Sequence, residues 1–259
     1  MVSQQGHTTR LAITGLGGVG KTQLAIELSY RIKKRYRGCS IIWILATSLE
    51  SLHQAYMNVA QQLSIPGWEN AEADVKRLVQ EYLSREQYGQ WILIFDNADD
   101  ISMWITRPTS GPGARRLIDY LPRSDYGCVI FTTRDRKAAF ELAKRKVLEI
   151  PEMDEEIATQ LLHKCLYKPT TDQAETSTLL KDITYLPIAI VQAAAYINKN
   201  GITVSEYLSL LAEQEEDVID LLSEEFEDEG RYDHVNNPVA ITWLISFEKI
   251  RHFDPLAAD

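Results

Sequence analysis

Along the first 150 or so residues, short unbroken apolar runs alternate with longer stretches whose apolar positions recur every three or four residues. The short runs are "TRLAITG" (Thr9 to Gly15), "CSIIWILATS" from Cys39, "WILIF" from Trp91, "GCVIFTT" from Gly127 and "KVLEI" from Lys146. Bounded by turn formers and rich in branched side chains, they read as buried strands. Between them, Leu24, Leu28 and Ile32 sit at helical spacing, and Leu49, Leu52, Tyr56, Val59, Ala60 and Leu63 trace a second helix that stops before "IPGW". Val75 to Leu83 and "KAAFELAK" complete the helical set. Strands alternating with helices predict an α/β fold, a parallel sheet covered by helices on both faces.

After Pro151 the strand pattern ceases. Residues 154–166, 172–185, 186–198 and 204–226 are helical by period, which predicts a small all-helical second domain. The turn-rich "EGRYDHVNNP" follows, and then a last amphipathic segment, "VAITWLISFEKI". The expected boundaries are 1–152 for the α/β domain, 153–235 for the helical one and 236–259 for a remainder. Because the sequence stops inside helical pattern, a longer parent protein is expected.

Charge changes the picture in one place. The chain carries 27 basic and 37 acidic residues, and ten of the acidic ones lie between Glu213 and Glu229 without a Lys or Arg among them. Val218, Leu221, Leu222 and Phe226 share one stripe of that segment, so the acidic run reads as a solvated helix face. Elsewhere the signs balance, and no broad basic field for nucleic acid is expected. No apolar run approaches the roughly 20 residues that span a bilayer, and "MVSQQGHTTR" lacks the apolar core of a secretory signal. A cytoplasmic protein without a membrane partner is the expectation. Cys39, Cys128 and Cys165 are far apart and show no metal-binding spacing, consistent with free thiols.

Chemistry enters with "GLGGVGKTQ", Gly15 to Gln23, which contains G-x-x-x-x-G-K-[ST] directly after a predicted strand and at the start of a predicted helix. Gly15, Gly17, Gly18 and Gly20 allow the backbone to curl so that N–H groups, Val19 included, point at phosphate oxygens beside a helix N-terminus. Lys21 is placed to reach the β- and γ-phosphates, and the Thr22 hydroxyl to ligate Mg²⁺. The metal needs a carboxylate on the opposite side. "WILIFD" offers Asp96 at the end of an apolar strand. Further on, "VIFTTRD" ends a strand in Thr132, Thr133 and Arg134, and an arginine there could stabilise γ-phosphate charge. That requires the "VIFTT" strand to lie between the phosphate-loop strand and the Asp96 strand. The guanine signature N-K-x-D is absent, its nearest approach being "NKNG" from Asn198, so adenine is preferred by elimination.

Taken in order, "GLGGVGKTQLA", "WILIFDNADD", "GCVIFTTRD" and "YLPIAIVQAAAYI" resemble the NB-ARC nucleotide-binding module of the STAND class of P-loop ATPases. The likeness is to the fungal NOD-like receptor type that carries tetratricopeptide repeats. It implies a P-loop sheet of order 5-1-4-3-2 and a helical subdomain whose proline, here Pro187, packs near adenine. A proline opening a helix at its first position accounts for Pro187 equally well. The resemblance also implies that residues 236–259 are a linker and the first helix of a winged-helix domain. It further implies a switch between ADP- and ATP-bound states that governs self-association in immunity or programmed cell death. Relatives usually place a second acidic residue after the metal-binding Asp, but here that position is Asn97. Loss of a general base costs about 10² to 10⁴ in rate, so hydrolysis should be slow unless Asp99 or Asp100 substitutes. Rival readings are an AAA-type motor, a P-loop kinase for a small metabolite and a STAND-class transcription regulator.

Overall fold

The computed structural model describes residues 8–70, 72–107, 115–144, 146–168 and 172–212. The acidic run from Glu213 and the expected winged-helix beginning lie outside them. Chain contacts divide the protein into two compact units, Met1–Pro151 and Glu152–Asp259.

The first unit is built on five parallel strands, β1 (Thr9–Thr14), β2 (Ser40–Leu45), β3 (Trp91–Asp96), β4 (Gly127–Thr133) and β5 (Val147–Glu149). Their order is β2-β3-β4-β1-β5, which from the other edge is the expected 5-1-4-3-2. Helices α1 (Lys21–Arg35), α2 (Leu49–Gln62), α3 (Val75–Leu83), α4 (Ile101–Ile105) and α5 (Arg136–Ala143) connect them. Parallel neighbours cannot be joined by tight turns, so each crossover needs a helix, and both sheet faces become covered.

Alternation within the strands decides which side chains meet which helices. Ala12, Ile42, Ile44, Trp91, Leu93, Phe95, Val129 and Phe131 share a core with buried residues of α2, α3 and α5. The opposite parity, Ile13, Ile92, Ile94 and Ile130, packs with Ala25 of α1 and Cys39. Every residue of β3 is buried, as a central strand sandwiched by helices requires.

Two helical stripes differ from expectation in detail. Leu24 is 40% exposed, and the inward row of α1 is Lys21, Ala25, Leu28 and Ile32. Steps of four residues drift about 40° around a helix of 3.6 residues per turn, so the buried row alternates steps of four and three. Leu49 opens α2 and is 63% exposed, while Leu52, Tyr56, Val59 and Ala60 are buried. Residues 101–105, for which the sequence pattern predicts no element, form α4, whose Asp100 cap accepts hydrogen bonds from Ser102 N and Met103 N.

The described part of the second unit is helical, with α6 (Glu155–Cys165), α7 (Gln173–Asp182), α8 (Pro187–Asn200) and a further helical stretch at 204–212. Its core gathers Leu162, Leu179, Leu180, Ile190, Ala194 and Tyr207 among others. Among the described residues, no helix is long and apolar enough to cross a membrane.

Candidate functional site

Strand register brings the polar residues of the first unit to one edge. Thr14 pairs with Thr133, Phe95 with Phe131 and Leu45 with Asp96, so β1, β3 and β4 end together. The strand order reverses at β1, and the carboxyl edge beside such a reversal is where open α/β sheets bind ligands. β4 does lie between β1 and β3, as a phosphate-facing Arg134 requires.

The loop that leaves β1 is held by unusual backbone geometry. Gly15 has φ +149°, and a Cβ there would lie 2.8 Å from Ile150 O and 3.2 Å from Val19 Cγ1. Gly20 caps α1 in the left-handed region at φ 99°. Gly18 also has positive φ, whereas Gly17 is not among the positive-φ glycines and owes nothing to that freedom. Val19 is buried, and Gln23, on the first turn of α1, is exposed.

Lys21 is only 7% exposed, and its Nζ donates to Gly15 O and Leu16 O, both at 2.9 Å. The ammonium therefore sits against the loop it is to serve. Burial lowers its pKa, Asp99 and Asp96 pull it up, and Arg134 pulls it down, for a net lowering. All four charges thus converge on one place, which the sequence left open.

Asp96 is 6% exposed at the end of β3. Its Oδ1 accepts from Thr22 Oγ1 at 2.9 Å and from Thr132 Oγ1. Thr22 and Asp96, the expected metal pair, are thus brought together across 74 residues. Their hydroxyl and carboxylate oxygens are the hard donors that Mg²⁺ prefers, and Mg²⁺ usually takes only one or two protein carboxylates beside substrate phosphates. The donor set fits that ion. Among the described residues there is no cluster of three or more His, Cys, Asp or Glu that would hold a metal without a ligand's help.

A model of the NB-ARC domain family matches residues 1–172. The chain belongs to the NB-ARC family. A Hyaloscypha variabilis protein described as "Nucleotide-binding leucine-rich repeat (NLR)-like protein" is 43% identical over 257 residues, covering 96% of this chain and 26% of that protein. The chain therefore spans about a quarter of that relative's length. Among solved structures, Cdc6p from Pyrobaculum aerophilum gives a TM-score of 0.52 at 14% identity, over 76% of this chain and 58% of that one. A STAND protein with a tetratricopeptide repeat sensor from Pyrococcus horikoshii gives 0.46 at 20% identity, over 92% of this chain and 37% of that one. At 14% identity the likeness to the Pyrobaculum aerophilum structure is one of fold.

Within this NB-ARC chain, the residues after Asp96 are held by partners of their own. Asn97 is exposed and takes φ 59°, a left-handed conformation that a short Asn tolerates, while its N–H donates to Thr132 Oγ1 at 3.0 Å. Asp99, which with Asp100 is the alternative to a base at position 97, has both its oxygens engaged. Oδ1 accepts from Arg134 N at 2.6 Å and Thr133 Oγ1 at 3.0 Å, and Oδ2 accepts from Arg134 Nε at 2.9 Å. Burial pushes the Asp99 pKa up, yet the Arg134 hydrogen bonds and charge, helped by Thr133, outweigh it and leave a net lowering. A carboxylate held this way is a poor proton acceptor. Asp100 is the α4 cap, and its carboxyl is also lowered, first by the Ser102 hydroxyl. Neither Asp is arranged as a base.

Thr132 and Thr133, noted in the sequence only as strand-ending polar residues, are the hydroxyls that fix Asp96 and Asp99. Two consecutive threonines closing an apolar strand are the signal that could have singled them out, and both are fully buried. Pro187 opens α8 at its first turn, after Leu186 at the cap, which is the reading that helix geometry alone provides.

Proposed function

We propose that this NB-ARC chain is an adenine-nucleotide switch, built to hold ATP or ADP with Mg²⁺ and to hydrolyse slowly, within a longer NLR-like signalling protein. The observation that carries the reading is the 2.9 Å contact of Thr22 Oγ1 with Asp96 Oδ1. It places the hydroxyl that opens α1 against the carboxylate that ends β3, beside a buried lysine and a phosphate loop.

The loop amides from Gly15 to Thr22 would cradle the phosphates, and Lys21 would transfer its Nζ from two loop carbonyls to phosphate oxygens. Thr22 and Asp96 would hold Mg²⁺, which neutralises charge on the β- and γ-phosphates. Arg134 would read the γ-phosphate, exchanging the Asp99 carboxylate for a phosphoryl oxygen. Pro187 is proposed to pack near adenine. The proposed boundaries remain 1–152, 153–235 and 236–259.

Slow cleavage follows from the third side of the site. Asn97 is an amide, Asp99 Oδ1 stays held by Thr133 Oγ1 and Arg134 N even when the guanidinium turns to phosphate, and Asp100 caps a helix, so none of these three is poised to take a proton from water. Such a site favours a state change over turnover. To move a two-state equilibrium from 1:99 to 99:1, the nucleotide must prefer one state by about 10⁴, near 5.5 kcal/mol. The Arg134 exchange is one source of that difference, and self-association of the parent protein is its proposed output. A role in immunity or programmed cell death, in the cytoplasm, is proposed for that parent on the same footing.

Single-turnover hydrolysis of ATP by the wild type and by Asn97→Asp tests the reading. Asp tolerates the left-handed backbone as Asn does, so the variant should fold and cleave at least about tenfold faster. An unchanged rate would show that position 97 is not where a base is missing.

A further inference from the structure

A second concentration of positive charge in the first unit lies at the opposite end of the sheet. Arg85 follows the C-terminus of α3, and Arg115 and Arg123 flank the short 3-10 turn Leu117–Tyr120. The three arginines line a groove of about 650 Å³ between α3 and this turn. β1 begins beside it, since Thr8 Oγ1 donates to Pro122 O at 2.7 Å and accepts from Ser124 N at 2.8 Å. Six strand residues separate this end from the phosphate loop, about 20 Å at roughly 3.3 Å per residue. The groove is therefore no part of the nucleotide site.

Its two acidic lining residues are already committed. Glu81 is paired with Arg77 at 2.8 Å, and Asp119 with Arg116 at 2.8 Å. Among the described residues, Arg85, Arg115 and Arg123 have no carboxylate at ion-pair distance. Half-buried Arg10 is lowered first by burial and then by the charge of Arg123, with Asp119 opposing. Guanidinium groups gathered in this way repel one another, and the chain as a whole carries a net charge of -10, so the cluster is local and not part of a basic surface.

The walls are fixed before any ligand arrives. Gln80 Nε2 donates to Asp119 O at 2.7 Å and Leu121 O at 3.1 Å, and Arg123 N donates to Ser84 Oγ at 2.9 Å. The Arg85 guanidinium lies 5.9 Å from the Tyr82 ring centroid. Planar forks on fixed backbones favour bidentate contact with phosphoryl oxygens over the looser attraction of a lysine patch. The geometry points to a second anion site, in which Arg85, Arg115 and Arg123 bind a compact polyphosphate at the amino-terminal end of the sheet. A groove of this size accepts a few phosphate groups, whether free or on a lipid headgroup.

The test is calorimetric titration of inorganic tripolyphosphate into Lys21→Ala, whose phosphate loop is disabled, and into the same protein carrying Arg85→Ala, Arg115→Ala and Arg123→Ala. All three side chains are exposed, so the variant should keep its melting temperature. One saturable site is expected in the first protein, and affinity lower by at least about 100-fold in the second. Arg31→Ala, an exposed arginine of α1, should change nothing. The proposal is overturned if Lys21→Ala takes up no tripolyphosphate, or if the triple substitution leaves its affinity intact. It is equally overturned if a glutamate octapeptide or a DNA duplex binds as tightly with the same arginine dependence. Vesicles carrying phosphatidylinositol bisphosphate separate the sources. Arginine-dependent sedimentation with them assigns the phosphates to a headgroup, and its absence beside tripolyphosphate binding assigns them to a soluble ligand; either result supports the site.

Discussion

Asp99 and Arg134 show how one residue's partner decides what another can do. The carboxylate takes both the main-chain N–H and the side-chain Nε of Arg134, so in the proposed switch a triphosphate would compete with it for the guanidinium. Asp99→Asn keeps the shape and removes the charge. Its expected effect is a rise in the ratio of ATP to ADP affinity of about three- to tenfold, read by competition against a fluorescent nucleotide, because a neutral amide holds arginine less firmly. An unchanged or falling ratio would separate Arg134 from the γ-phosphate. The same pair makes a pH prediction. The folded-state pKa of Asp99 is lowered, so its stabilising contribution is complete above the unfolded value near 4 and is lost as pH falls through the folded value. The stability gap between wild type and Asp99→Asn, followed by urea melts from pH 7 to 3, should therefore shrink in acid; a gap that is flat or widens would exclude the mechanism. Lys21, Thr22 and Asp96 were legible in the sequence because their spacing to strand and helix ends is itself the motif. The clamp was not, since Asp99 and Arg134 are 35 residues apart and meet only through the register of β3 with β4.

Backbone constraints belong to the elements. Gly15 joins β1 to the phosphate loop with positive φ, and any side chain would press on Ile150 O, which follows β5. Gly15→Ala should cost about 2–3 kcal/mol in chemical denaturation, combining strain with a backbone contact that cannot move away cheaply. At the other extreme, Thr184 holds φ 53° just before α8, a left-handed conformation that is costly for a β-branched residue. Thr184→Gly should stabilise the protein by about 0.5–1 kcal/mol; a loss of that size would mean the hydroxyl or methyl does something the backbone argument omits. The elements themselves were well marked in the sequence, β3 and α3 above all, because unbroken apolar runs and strong helical period leave few alternatives. Faces were less well marked. Leu24 looked inward by spacing, yet it is Ala25 that meets the sheet. Short α4 was missed because five residues carry too little period to show, although Trp104 within it packs edge-on against Phe95 and Phe131 and so anchors the segment after Asp96.

At the scale of the molecule, the sheet order and the family follow one another, as the order of strands sets which loops share an edge. Three motifs scattered over the first unit become one carboxyl edge only in the sequence-distant arrangement β3-β4-β1. The arginine groove was hidden for the converse reason, since Arg85, Arg115 and Arg123 lie far apart in a chain whose overall charge is acidic. The proposed switch depends above all on the phosphate loop holding a nucleotide. Equilibrium titration of fluorescently labelled ADP, with Mg²⁺, into the wild type and into Lys21→Ala tests it most directly. Saturable one-to-one binding by the wild type, weakened at least about 100-fold in Lys21→Ala, is the predicted result. Equal binding by the two proteins would contradict the account.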